Sequence, residues 1–159
     1  MKISEYFEKD HDRLDDLFRS FQEWKAKDYP RAKENFVAFK FGLQRHIVWE
    51  EDILFPLFEK GSGVTQGPTL VMRLEHRQIG ECLEAVHKKV KNADPASDQE
   101  EKNLLEVLSA HNMKEEHVLY PAIDCLASAE DVRMVFDQMT AIPVERYERC
   151  CSHPVTVPD

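Results

Sequence analysis

The chain has 159 residues, 42% of them apolar and 32% charged, and a formal net charge of −9. That composition fits one globular domain able to bury a sizeable core. The negative charge argues against a nucleic-acid partner, which would need a basic face, and against adhesion to an acidic membrane. The first ten residues lack the apolar stretch of a signal peptide, and no run approaches the ~18 apolar residues of a membrane helix, so the expected location is cytoplasmic. Four cysteines, Cys82, Cys125, Cys150 and Cys151, do not form a disulfide framework at this size and read as reduced thiols.

No segment alternates like a strand, and the long segments carry helical periodicity. The first helix is expected to start with Ser4 as N-cap and run to about Lys27, burying Phe7, Leu14, Leu17, Phe18 and Phe21. Asp28 to Pro30 makes a turn, and Pro30 suits the first position of a second helix reaching about Phe58, with Phe36, Phe39, Leu43, Ile47, Leu54 and Leu57 inward. Gly61 to Gly67 breaks the chain. Gly67-Pro68 opens a third helix with Met72, Ile79, Leu83, Val86 and Val90 inside, ending near Asn92 to Pro95. Ser97 to Glu100 reads as a capping box for a fourth helix burying Leu104, Leu108, Val118 and Leu119. Ser128 to Asp131 reads as a second capping box, for a short fifth helix packing Val132, Val135, Phe136 and Met139. The expectation is an all-α, up-down-up-down four-helix bundle with a short fifth helix over residues 1–140, and an irregular tail over 141–159.

Polar residues interrupt the inward stripes in a pattern. His46-x-x-x-Glu50-Glu51-x-x-Leu54-Phe55-Pro56 returns 65 residues later as His111-x-x-x-Glu115-Glu116-x-x-Leu119-Tyr120-Pro121. The same displacement relates His11 to His76, Phe7 to Met72, Leu14 to Ile79 and Phe39 to Leu104, so the chain reads as two copies of a helical hairpin. His11 and His76 lie roughly 10 to 12 Å in from their helix starts, and Glu50 roughly 11 Å back from the end of its own helix. Antiparallel packing brings those levels together. Six groups therefore converge: His11, His46, Glu50, His76, His111 and Glu115. One such histidine alone would read as a core residue bonded to a backbone carbonyl. Four imidazoles and two carboxylates buried together need a cation to offset desolvation. Six donors exceed one tetrahedral zinc, whereas two ions fit the count, with Glu50 and Glu115 bridging and two histidines on each. Imidazole with carboxylate suits iron, with manganese as the other candidate. Ferritin-like sites use a pair of Glu-x-x-His motifs, and the match at Glu84 and His87 makes only a weak alternative.

These residues, over about Ile3 to Leu126, resemble the hemerythrin-like family with its His-His-Glu cation-binding domain. The resemblance implies a non-haem di-iron centre with an oxo or hydroxo bridge, ligated at the six positions above, that handles a small diatomic gas, dioxygen or nitric oxide, with an unknown redox partner. The oxygen-carrying hemerythrins are similar but have a histidine where Gly80 stands and a His-x-x-x-x-Asp ending in place of His111-x-x-x-Glu115, which argues against simple oxygen carriage. Glu51 and Glu116 lie about 100° round the helix from the bridging positions and read as supporting or solvated groups. His87 is roughly 16 Å along the axis from His76, and His117 points away. Cys150, Cys151 and His153 read as plain tail residues rather than a redox pair. Three functions follow: a gas-binding or sensing di-iron protein; a di-iron enzyme or repair factor that reduces nitric oxide or peroxide or donates iron to iron-sulfur centres; and an interaction module with a structural metal. The first is the expected one, because repair relatives look like having an extra N-terminal cysteine-bearing domain and no additional acid-base pair is evident here.

Overall fold

A computed structural model describes residues 1–148, all in helices or short connections, with no strand among the described residues. Four long rods form the bundle. The first is α1 (Ile3–Trp24). The second is α2 (Tyr29–Trp49), which passes through a π-helical turn at Glu50–Leu54 into α3 (Phe55–Ser62). The third is α4 (Pro68–Lys91). The fourth is α5 (Asp98–Lys114), which passes through a second π-helical turn at Glu115–Leu119 into α6 (Tyr120–Leu126). Two short helices follow, α7 (Ala129–Ala141) and α8 (Val144–Tyr147). The expected all-α, up-down-up-down bundle of two hairpins with a short fifth helix is present. The single turn of α8 corrects the expectation of irregular chain after Pro143: the Tyr147 ring is buried against the second rod and its hydroxyl accepts from Trp49 Nε1 at 2.9 Å. Cys150, Cys151 and His153, read from the sequence as plain tail residues, lie outside the described residues.

The two π turns share a cause. Each precedes a proline, Pro56 or Pro121, whose ring would strike the carbonyl four residues back in a regular helix and which offers no N–H. Widening the turn by one residue moves that carbonyl aside, and Phe55 and Tyr120 donate their N–H to the carbonyls of Glu50 and Glu115, five residues back.

Local capping differs from the sequence reading in three places. Lys2, not Ser4, precedes α1, because the Ser4 N–H and hydroxyl both donate to the Asp124 carboxylate and tie the first rod to α6. Asp28 caps α2, accepting from Arg31 N–H at 3.3 Å. Ser97 forms no capping box, since its hydroxyl donates to Glu101, a buried carboxylate that Lys25 reaches from α1 at 2.6 Å. The Ser128–Asp131 box is formed as expected.

The core has two clusters. The lower one holds Leu14, Phe18, Phe21, Phe36, Phe39, Leu43, Ile79, Leu83 and Leu108, with Phe18 and Phe39 rings 4.8 Å apart. The upper one holds Phe7, Trp49, Leu54, Phe55, Met72, Leu119, Tyr120 and the inner faces of α7 and α8. Each fully buried phenylalanine or leucine contributes about 1.5–3 kcal/mol. Gly42 lets α1 and α2 close one turn from His46, for a Cβ there would lie 2.7 Å from Leu14 Cδ2. Val118, expected in the core, is 62% exposed, because it lies on the π turn of the second hairpin, where no α7 covers it.

Candidate metal centre

Between the two clusters lies one polar layer. Phe7, His11 and Leu14 run down α1, and Met72, His76 and Ile79 down α4, so each histidine sits where the upper cluster meets the lower. His11, His46, Glu50, His76, His111 and Glu115 are all buried there, the two glutamates completely. All six sequence candidates are thus brought into one layer, while His87 pairs with Glu84 at 3.3 Å outside it and His117 is exposed.

The six split into two halves that share carboxylates. His76 Nε2 and His111 Nε2 are 3.1 Å apart, His76 Nε2 is 3.3 Å from Glu50 Oε1, and His111 Nε2 is 3.1 Å from Glu115 Oε1. On the other side His11 Nε2 is 3.4 Å from Glu115 Oε1 and His46 Nε2 is 3.6 Å from Glu50 Oε1. Each glutamate therefore faces one histidine from each half, as a bridging carboxylate must.

Every histidine is held from behind. The Nδ1 atoms meet Glu116 (His11, 2.8 Å), Asp10 (His46, 2.9 Å), Glu51 (His76, 2.9 Å) and Glu75 (His111, 2.9 Å). A carboxylate accepts only from Nδ1–H, which leaves Nε2 as an inward lone pair, the tautomer of a metal ligand. Glu50 Oε1 and both Glu115 oxygens are buried with no hydrogen-bond partner. Four lone pairs turned toward three unpaired carboxylate oxygens repel one another unless a cation lies between them, so the donor set fits metal ions. Without ions, protons take that role: against its burial, Glu50 and Glu51 raise His76 to about 10, and Glu115, Glu50 and Glu116 raise His11 to about 9. Burial pulls His46 down. Burial and the Glu115 charge push Glu50 up, whereas contact with Glu50, His111 and His11 outweighs burial and holds Glu115 well below the carboxylate range.

Below the layer is a cavity of about 10 Å³, bounded by the site residues above, by apolar residues including Leu14, Phe39, Ile79 and Leu108 beneath, and at its edge by Asp15 and Asn112. It holds about one water-sized molecule.

The family model of the hemerythrin HHE cation-binding domain matches residues 2–123. The chain belongs to this family. Among curated proteins, it is similar to the iron-sulfur cluster repair protein YtfE of Yersinia pseudotuberculosis (41% identical over 54 residues, 33% of this chain and 24% of that protein) and of Edwardsiella ictaluri (44% over 54 residues, the same shares). It is also similar to the YtfE protein of Escherichia coli O1:K1 (33% over 89 residues, 50% of this chain and 40% of that protein). The match spans between about a quarter and two fifths of the length of these relatives. No solved structure matches the chain. As a hemerythrin-family domain it carries a cation-binding helical bundle, and among the described residues no helix is long and apolar enough to cross a membrane.

Three features of the layer escaped the sequence reading. Asp10 and Glu75 stand one residue before His11 and His76 and share the 65-residue displacement, a signal that was available. Tyr120 was visible only as the aromatic of the repeat. It lies five residues after Glu115, about 140° round a regular α-helix, and the π turn returns it to the site. Its hydroxyl donates to Glu50 Oε2 at 2.8 Å.

Proposed function

We propose that this chain is a di-iron protein of the repair kind, which reduces nitric oxide or peroxide or passes iron to damaged iron-sulfur centres, with His11, His46, Glu50, His76, His111 and Glu115 as its iron ligands. The sharing of Glu50 and Glu115 between two pairs of inward Nε2 atoms carries the di-iron reading. The similarity to iron-sulfur cluster repair proteins supports repair over the gas-sensing role expected from sequence. Bound iron supplies one-electron chemistry and coordination positions for a small ligand. The chain's own residues do the rest. Asp10, Glu51, Glu75 and Glu116 fix the imidazole tautomers, and two apolar clusters keep bulk water from the layer. The cavity beneath admits a molecule no larger than a diatomic gas or water.

The test mixes the reduced, iron-loaded protein with nitric oxide, and separately with an enzyme whose iron-sulfur cluster nitric oxide has damaged, all without air. Repair predicts loss of two nitric oxide molecules per diferrous centre, the pair taking one electron from each iron and two protons from the buffer to leave nitrous oxide and water, or recovery of the damaged enzyme. Reversible, stoichiometric gas binding with neither outcome favours the sensing role, which the small cavity also accommodates. No response to gas at full iron loading would leave a structural metal.

A further inference from the structure

The two halves of the centre differ at one position. Phe55 and Tyr120 occupy equivalent places in the hairpin repeat, each five residues after a shared glutamate and each returned to the site by its π turn. Phe55 stacks on His76, with centroids 5.6 Å apart and planes at 14°. Tyr120 lies against His11 at 5.7 Å and is fully buried, but it ends in an oxygen. That oxygen is 3.1 Å from His46 Nε2, 3.3 Å from His11 Nε2 and 2.8 Å from Glu50 Oε2.

A phenol placed only to satisfy its hydroxyl needs one acceptor, and Glu50 alone would serve. The additional closeness to both histidines of one half calls for more. Donor atoms held about 2.1 Å from one octahedral ion, at right angles, lie about 3 Å from each other. The three distances around Tyr120 Oη have that edge length, as does the 3.1 Å between His76 Nε2 and His111 Nε2 in the other half.

We infer that Tyr120 is a seventh protein ligand, binding through its phenolic oxygen the ion held by His11 and His46, while Phe55 leaves the ion at His76 and His111 without a counterpart. This rests on the di-iron reading above. Ligation to ferric iron replaces the O–H bond by an O–iron bond and releases one proton to the buffer, as a metal does to a coordinated thiol. No electron moves in that step. The His11/His46 position would then be offered one more protein donor than the other, with Tyr120 added to His11, His46, Glu50 and Glu115. The His76/His111 ion, lacking that donor, would keep the open position, and the asymmetry assigns the reacting ligand to it.

Resonance Raman and visible absorption of the air-oxidised, iron-loaded full chain test this. Wild type is expected to show a tyrosinate-to-iron charge-transfer band with its ring modes. Tyr120→Phe is expected to lose the band and still bind both irons, since Phe55 shows that a phenyl ring fits the equivalent place. Phe55→Tyr is expected to add a second tyrosinate contribution. Full iron loading in wild type without tyrosinate modes overturns the assignment and leaves the di-iron reading standing, as does a band that persists in Tyr120→Phe. Failure of wild type to bind iron overturns both.

Discussion

The two hairpins share a 65-residue register and yet are not alike. In the first, Val48, Trp49 and Ile53 are buried, because α7 packs on the π turn and α8 on α2, with Val135, Met139 and Tyr147 closing over them. Their counterparts in the second hairpin, Met113, Lys114 and Val118, face solvent. Inside, the first hairpin contributes Phe55 to the centre and the second Tyr120. The repeat therefore keeps the histidines, the glutamates and the carboxylates behind each Nδ1, while the outer cladding and the Phe55/Tyr120 position diverge. The symmetry of the donor set follows from the repeat, and the proposed asymmetry of reactivity rests on the one aromatic position that breaks it.

The largest effect is expected from the residues both halves share. Glu50→Ala or Glu115→Ala should abolish binding of both ions and lower the melting temperature of the loaded protein to that of chelated wild type, since metal binding and folding are coupled when four rods supply ligands. Metal analysis with thermal melts checks this, and loss of one ion only would mean that the carboxylates do not bridge.

Single histidines should then separate the halves. His76→Ala leaves its ion with one imidazole, whereas His46→Ala leaves the other ion with His11 and Tyr120, so the first variant should retain less iron at limiting supply. Equal losses would argue that Tyr120 contributes no bond. Smaller changes are expected one layer out. Asp10→Asn and Glu75→Gln remove the negative charge behind His46 and His111, and each should weaken iron binding by about 10- to 100-fold. Each carboxylate also pairs with a basic side chain, Asp10 with Arg13 and Glu75 with Lys114, but Asp10 is buried and Glu75 is partly solvated, so the Asp10 change should be the more damaging. Competition with a chelator measures both. The smallest effect is His87→Ala, which should leave iron content unchanged, because His87 bonds only Glu84 outside the layer.

The metal-free protein gives a pH test of the same layer. His11 and His76 are raised to about 9 and about 10 from an ordinary value of 6.5. A raised imidazole stabilises the fold fully below its unfolded value and loses that contribution as pH climbs through its folded one. Glu50, raised as well, acts with the same sign. Chelated protein should therefore melt at progressively lower temperature between pH 7 and pH 10, while iron affinity rises over that range as the imidazoles lose their protons. Flat melting temperatures under chelation would contradict the proton-for-metal exchange.

Much of this was legible in the sequence for a physical reason. Long helices have a fixed rise, so His11, His76 and Glu50 could be placed at one depth by counting, and the repeat brought in His111 and Glu115. Counting failed where the helix stops being regular. Pro56 and Pro121 announced a disturbance, but not that it would be a widened turn, and so Tyr120 stayed hidden and Val118 was placed inside. Ser4 and Ser97 matched capping patterns, yet carboxylates, Asp124 from α6 and Glu101 one turn into α5, outcompeted the local backbone for their hydroxyls. The partners behind the histidines come from neighbouring rods, and only the tertiary fold shows which carboxylate reaches which Nδ1.

The central claim is that two ions occupy one buried layer and are joined by two shared carboxylates. Iron content per chain, measured on protein expressed in iron-replete medium and purified without air, tests it most directly. The account predicts two iron ions per folded chain in wild type and none in Glu115→Ala. One zinc ion per chain in wild type, unchanged in Glu115→Ala, would contradict it.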